Sequence, residues 1–291
     1  MSRIAGRKWP LEPANGPGRR VARGPPTVKS RASVPSGMEI DNDDGVLRLR
    51  FDRPDARNAL TTETADELAD TIEAATADEY DAIVITGEGT AFSAGGDLES
   101  LADTPESSQA AYEEVTETFG RVVEAMLECP VPIVAKVNGD AIGAGLSIVA
   151  LADLAFAADD ATFSCAFVRV GLIPDTGGTV MLPHIVGLRA AKRLAFTGEF
   201  FDAERAADLE LVNEAVPADE LDDRVTETVA GLANGPTATI GMMKQAMHEN
   251  MSRSWDDALD YENLLQAQAR TSDAHEEGVA AFLEDRDPDF E

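Results

Sequence analysis

Two kinds of apolar pattern alternate along the chain. Residues 45–51 place apolar side chains between arginines, the period of a half-exposed strand, and short apolar runs recur at 82–86, 133–137, 154–157 and 211–215. Between them, 64–75 sets Leu68, Ile72 and Ala75 on one helical face, and 108–128 sets Tyr112, Val115, Phe119, Val122 and Met126 at three-to-four spacing. Strands alternating with helices predict an α/β assembly. From residue 189 onward the pattern is mainly helical, at 219–233, 236–250, 255–270 and 273–284. The expected organisation is a core over 38–188 followed by a helical region, 189–291, for capping and oligomerisation.

Charge changes the picture at the N-terminus. The 291 residues hold 54 Asp and Glu against 24 Lys and Arg, a net charge of -30. Residues 1–37 run the other way, with eight Lys/Arg and a single acid, leaving -37 on the remainder. That first segment is rich in Pro, Gly and Ser and lacks apolar periodicity, so it is expected to be a disordered basic extension upstream of a biological start at Met38. No apolar stretch follows its arginines, which excludes a secretory signal. The dense acidity of the rest reads as a surface adapted to concentrated salt, and it argues against nucleic-acid binding. No window reaches the ~18 apolar residues of a spanning helix, so a cytoplasmic protein with no membrane partner is expected. Cys129 and Cys165, with scattered His184, His248 and His275, form no recognisable metal motif.

Candidate chemistry lies in three glycine-rich stretches. Residues Ile173-Pro174-Asp175-Thr176-Gly177-Gly178-Thr179 hold one acid among apolar and small neighbours. If buried, its pKa rises toward the range of a general acid/base; the alternative is a turn aspartate capping a helix that starts near Thr176. Ala94-Gly95-Gly96-Asp97-Leu98 and Asn138-Gly139-Asp140-Ala141-Ile142-Gly143-Ala144-Gly145 each follow an apolar run, and the second opens a helix. Free N–H groups there suit an anion or oxyanion. A dinucleotide reading fails because the Gly143–Ile148 stretch lacks the third small residue of G-x-G-x-x-G. Signatures of zinc proteases, P-loop NTPases and α/β-hydrolases are also missing.

Taken with Arg53-Pro54-Asp55-Ala56-Arg57-Asn58-Ala59-Leu60, these stretches stand in the order and spacing that resemble the enoyl-CoA hydratase/isomerase (crotonase) superfamily across 38–291. The resemblance implies a crotonase-like spiral of β-β-α repeats, a helical C-terminal trimerisation region, and a homotrimer or dimer of trimers. It implies a coenzyme A thioester as substrate and no separate cofactor. Carried over by position, Gly96 and Ala144 supply the oxyanion-hole N–H groups. Ala56 and Arg57 match the CoA-contacting segment, Arg57 adding a phosphate contact. Ala94 and Leu98 match the adenine and pantetheine path, with Asp97 and Pro174 in the same binding loops. Phe282 and Arg286 match positions reaching the CoA of a neighbour or of their own chain.

Departures from that pattern select the reaction. The two glutamates of typical hydratases in the family are replaced by Ser147 and Phe167, neither of which can do their acid/base work at neutral pH. Asp175 remains as the candidate base. One carboxylate above an enolate suits a 1,3-proton shuttle, and the Phe167–Asp175 pairing resembles the isomerase branch associated with aerobic phenylacetate degradation. Phe167 would then line the acyl pocket, its other role being plain core packing. The sequence alone leaves open a hydratase with an unrecognised second acid and a non-catalytic acyl-CoA-binding protein.

The acidity predicts salt-dependent stability. Screening falls off over ~3 Å near 1 M salt and ~10 Å at 0.1 M, so self-repulsion grows on dilution. The melting temperature should be lower in 0.1 M than in molar KCl; equal values contradict a salt-adapted surface.

Overall fold

The computed structural model describes residues 37–102 and 105–290. The expected basic extension, apart from Gly37, lies outside the described residues. The strands are β1 (Met38–Asp43), β2 (Val46–Phe51), β3 (Ala82–Gly87), β4 (Ala91–Ser93), β5 (Ile133–Val137), β6 (Asp140–Ile142), β7 (Leu154–Ala158), β8 (Thr162–Ser164), β9 (Phe200–Asp202) and β10 (Glu214–Val216). The helices are α1 (Thr62–Glu73), α2 (Leu98–Ala102), α3 (Ser108–Val115), α4 (Arg121–Glu128), α5 (Ala144–Leu151), α6 (Gly178–Ile185), α7 (Leu188–Thr197) and α8 (Ala203–Asp208), followed by α9 (Leu221–Ala233), α10 (Thr237–Asn250), α11 (Trp255–Ala269) and α12 (Asp273–Glu284).

Each long apolar run enters one sheet and the short strand after it enters another. A six-stranded sheet has the order β1-β2-β3-β5-β7-β10, parallel except for the β1–β2 hairpin. A four-stranded sheet has the order β4-β6-β8-β9, antiparallel only at β8–β9. The pairs β3–β4, β5–β6 and β7–β8 therefore step from the large sheet to the small one in succession, which is the spiral of β-β-α repeats that the resemblance implies. β3 is buried at every position because both faces of the large sheet are covered. Ile83, Ile85, Ile133 and Ala135 face the main core with Leu68, Ile72, Met126 and Leu146. Val84, Val134 and Phe156 face the other way, beneath Leu221, Val225 and Val229 of α9.

Three details differ from the sequence expectation. The helix expected over 108–128 is interrupted by a π-type turn, Thr116–Gly120, before it resumes as α4. The strand expected at 211–215 lies slightly later, as β10, because Leu211 and Val212 are buried from a turn rather than from a ladder. β9 and β10 also carry sheet structure past residue 188, pairing with β8 and β7.

Helix α10 is docked to this core by a buried ion pair. Lys244 is 7% exposed and its Nζ donates to Asp153 Oδ2 at 2.8 Å; the same oxygen accepts the Ile133 N–H at 2.7 Å, at the start of a central strand. His248 meets the Leu127 carbonyl at 3.0 Å one turn further on. Beyond it, α11 buries only Leu265 and α12 only Ala281. Among the described residues no helix is long and apolar enough to cross a membrane, and no cluster of His, Cys, Asp and Glu is placed to hold a metal ion.

Removing one partner of a fully buried ion pair costs about 3–5 kcal/mol, and the cost here is smaller because Asp153 is partly exposed and keeps the Ile133 N–H. Lys244→Ala should therefore lower the urea midpoint by a corresponding amount. An unchanged midpoint would show that α10 does not depend on this pair.

Candidate functional site

Two loops are held against each other by backbone contacts. After a 3-10 turn at Pro54–Ala56, Arg57 and Asn58 both take left-handed conformations, φ 53° and 56°. Asn58 is buried and acts as a pin. Its amide donates to the carbonyls of Glu88 at 2.9 Å and Ala91 at 2.7 Å, and its Oδ1 accepts the Arg53 N–H at 3.0 Å. The Ala94 N–H donates to the Arg57 carbonyl at 2.9 Å, so this turn and the next loop form one unit.

Gly96 meets Leu60 in an isolated parallel bridge. The bridge uses the groups flanking Gly96: Leu60 N–H donates to the Gly95 carbonyl at 2.8 Å, and Asp97 N–H donates to the Leu60 carbonyl at 2.9 Å. In a parallel pair this leaves the N–H of the middle residue directed away from the partner. Gly95, at φ 92°, lies so close to the second loop that a Cβ there would stand 2.7 Å from the Ile142 carbonyl and 3.3 Å from the Ala144 nitrogen. Ala144 opens α5, where an N–H has no intrahelical acceptor and the helix end is electropositive. The two expected donors thus sit on adjoining segments, each with its N–H directed out of the local hydrogen-bond pattern.

Asp175 approaches the same helix from another direction. A 3-10 turn, Ala166–Val170, ends at Gly171, and the Leu172 N–H donates back to the Phe167 carbonyl at 3.0 Å before the chain enters the Pro174–Gly177 loop. The Asp175 carbonyl accepts from Ser147 Oγ of α5 at 3.1 Å and from the Gly178 N–H at 2.9 Å. Its carboxylate accepts from the Thr176 hydroxyl at 3.0 Å. Burial pushes this carboxyl above the ordinary aspartate value, while the Thr176 hydroxyl and the backbone pull weakly the other way. The helix-cap alternative does not describe this arrangement: α6 begins at Gly178, its cap is Gly177, and no side chain caps it.

The remaining expected site residues are distributed around these loops and beyond them. Phe167 is buried in the main core. Pro174, Ala56 and Ala94 are half-buried, while Leu98, at the start of α2, is exposed. The exposed Arg57 guanidinium pairs with Asp140 on β6, joining the 53–58 turn to the strand that leads to Ala144. Asp97 is held by Arg53 at 2.8 Å and receives the Glu99 N–H at 3.0 Å; the Arg53 contact keeps its carboxyl below the usual range. Phe282 is 62% exposed on α12, and Arg286 spends its guanidinium on Glu277 and Glu284 of that same helix. A cavity of about 600 Å³ between α1 and the 114–121 segment is lined by Thr62, Asp66, Glu114, Glu117, Thr118 and Arg121, none of them an expected site residue.

Two supporting roles were missed by the sequence reading. Ser93 is fully buried, donates through Oγ to the Asn58 carbonyl at 2.9 Å and accepts the Gly95 N–H at 3.1 Å, tying the 53–58 turn to the Gly95–Gly96 loop. Ser147 ties the Asp175 loop to α5. The available signal was a small hydroxyl inside an apolar run next to glycines, which gains meaning only once its partner is known.

Comparison with known proteins agrees with this architecture. The family model described as enoyl-CoA hydratase/isomerase matches residues 41–291. A probable enoyl-CoA hydratase of Rhodobacter capsulatus is 38% identical over 247 residues, covering 85% of this chain and 95% of that protein. The 1,2-epoxyphenylacetyl-CoA isomerase of Escherichia coli is 34% identical over 248 residues, covering 84% and 95%. The crystal structure of an enoyl-CoA hydratase from Mycobacterium smegmatis superposes with a TM-score of 0.80 at 34% identity, covering 87% of this chain and 98% of that one. With the family model matching residues 41–291 and relatives more than 30% identical over most of its length, this protein is an enzyme of the enoyl-CoA hydratase/isomerase family.

Proposed function

We propose that the enzyme isomerises a CoA thioester, moving the double bond of an enoyl or ring-derived acyl group by a proton shuttle. The observation that carries this reading is the partly buried carboxyl of Asp175, on a loop whose backbone is fastened to the helix whose first N–H is Ala144. The N–H groups of Gly96 and Ala144 donate to the thioester oxygen as it becomes an enolate; such donors contribute about 3–4 kcal/mol of transition-state stabilisation. Asp175 removes the α-proton, holds it, and returns it to the γ-carbon. Burial raises the proton affinity of the carboxylate, which brings the base closer in strength to the working pH. Ala56, Arg57, Ala94, Asp97 and Leu98 would carry the CoA portion, and Phe167 and Pro174 the acyl end. No cofactor is required beyond the CoA of the substrate.

Hydration needs a second acid/base group to orient water, and the corresponding positions are Ser147, whose hydroxyl is occupied by the Asp175 carbonyl, and Phe167, which is packed in the core. The relatives carry both hydratase and isomerase names. The apolar residues left exposed on the last helices, among them Met247, Trp255, Leu264 and Phe282, support assembly as a trimer or a dimer of trimers.

The test is Asp175→Asn, which keeps the shape of the side chain and removes the base. Turnover of a 3-enoyl-CoA to the 2-enoyl isomer should fall by about 10²–10⁴-fold with acyl-CoA binding retained. Retention of more than about a tenth of the activity removes Asp175 from the mechanism. A 3-hydroxyacyl product from 2-enoyl-CoA at a comparable rate would favour hydration instead.

The raised pKa makes a separate, thermodynamic prediction. A carboxyl that is harder to ionise in the folded state contributes stability that is full at low pH and is lost as pH rises through its folded value. Asp175→Asn should consequently raise the melting temperature at pH 7, and the gain should shrink toward acid pH. A variant destabilised at neutral pH would mean that the ionised carboxylate serves structure.

Ala144→Pro removes the oxyanion donor at the first position of a helix, where proline is favoured and the N–H has no intrahelical acceptor. Loss of that donor should cost about 10²–10³ in kcat. Wild-type turnover in a folded Ala144→Pro protein would exclude this N–H.

A further inference from the structure

We propose that Ser147 is a positioning residue that sets the placement of the Asp175 carboxylate over the oxyanion donors. The inference rests on the reading of Asp175 as the base. Ser147 is wholly buried, yet its hydroxyl is directed to a loop rather than to its own helix, donating to the Asp175 carbonyl at 3.1 Å. The loop it fastens is intrinsically reluctant: Thr176, a β-branched residue, sits at φ 52° and Gly177 at φ 76°. An external tie from a rigid element is what holds such a turn in one geometry.

That tie comes from the helix that also bears the oxyanion donor. Ala144 and Ser147 are three residues apart on α5, one above the other at about 4.5 Å along the axis, and every residue of α5 is buried. The base and the donor are thereby referred to one rigid body. The size of the side chain is equally constrained. A Cβ on Gly178 would stand 3.0 Å from Ser147 Oγ, so the loop closes onto a hydroxyl with no spare room. A glutamate at this position would have to displace the loop, and the serine that removes one hydratase acid is the same residue that seats the remaining carboxylate.

The experiment measures kcat and KM for double-bond migration, acyl-CoA binding and thermal melting in Ser147→Ala, Ser147→Cys, Asp175→Asn and the double variant Ser147→Ala/Asp175→Asn. Misplacing a reacting group by about 1 Å costs on the order of 10²-fold, so Ser147→Ala should lose about ten- to a hundredfold in kcat with KM nearly unchanged. Ser147→Cys, similar in volume with a weaker donor, should fall between wild type and Ser147→Ala. In the Asp175→Asn background the same change should cost nothing further, measured on the residual α-proton exchange, because a positioning residue acts only through the group it places. Wild-type kcat in Ser147→Ala, with Asp175→Asn inactive, overturns the inference and leaves the base assignment standing. An active Asp175→Asn protein overturns both. Equal losses of Ser147→Ala in the two backgrounds, or loss of melting temperature and acyl-CoA binding in both Ser147 variants, overturn it in favour of core packing.

Discussion

The burial of α5 is the constraint on which the candidate site depends. Every residue from Ala144 to Leu151 is buried, and none carries a charge, so the helix has no solvated face on which to shift or rotate. Protein interiors pack at near-crystalline density, and an element enclosed on all sides is fixed to within small displacements. Its N-terminus is therefore presented to the Gly95–Gly96 loop at a set distance, and its first turn offers Ser147 to the loop carrying Asp175. Backbone donors need no rotamer to be selected once the backbone is held, which is why a site built on Gly96 and Ala144 can be preorganised by packing alone.

Electrostatics divide the molecule in two. The surface carries the great excess of carboxylates, and many of the arginines are engaged by them, as Arg121 is by Asp70 at 2.7 Å and by Glu73 at 2.9 Å. Asp175 stands apart among the described carboxyls because its pKa is shifted upward, with burial as the largest cause, and the one side-chain partner of its carboxylate among the described residues is the neutral hydroxyl of Thr176. A carboxylate held this way stores free energy that ionisation cannot recover from solvent. The same desolvation that weakens the fold at neutral pH strengthens the base, and the position of Asp175 on a loop with a left-handed threonine concentrates both costs at one place.

The long strands were legible in the sequence because apolar runs such as Ile133–Val137 are buried on both faces and read directly as central strands. The short strands were not. β4, β6 and β8 hold three residues each, too few to show a period, and β4 and β6 also sit among glycines, so only pairing across the small sheet defines them. Asp175 was visible as an acid among apolar neighbours, since its cost is local. Gly96 and Ala144 were found through resemblance, because a free N–H leaves no side-chain mark. The supporting roles of Ser93 and Ser147 were not legible because a buried hydroxyl takes its role from a partner 35 or 28 residues away. Phe282 lies on a helix that buries one residue in a single chain and Arg286 just beyond its end, so sequence position alone could not relate them to the loops.

The central claim, a single carboxylate carrying one proton between two carbons of an enolate, is tested most directly by isotope transfer. A 3-enoyl-CoA labelled with deuterium at the α-carbon would be converted under single-turnover conditions and the 2-enoyl product examined by NMR. The account predicts label at the γ-carbon, delivered to the face from which it was removed. A γ-hydrogen drawn wholly from solvent and delivered to the opposite face would contradict it.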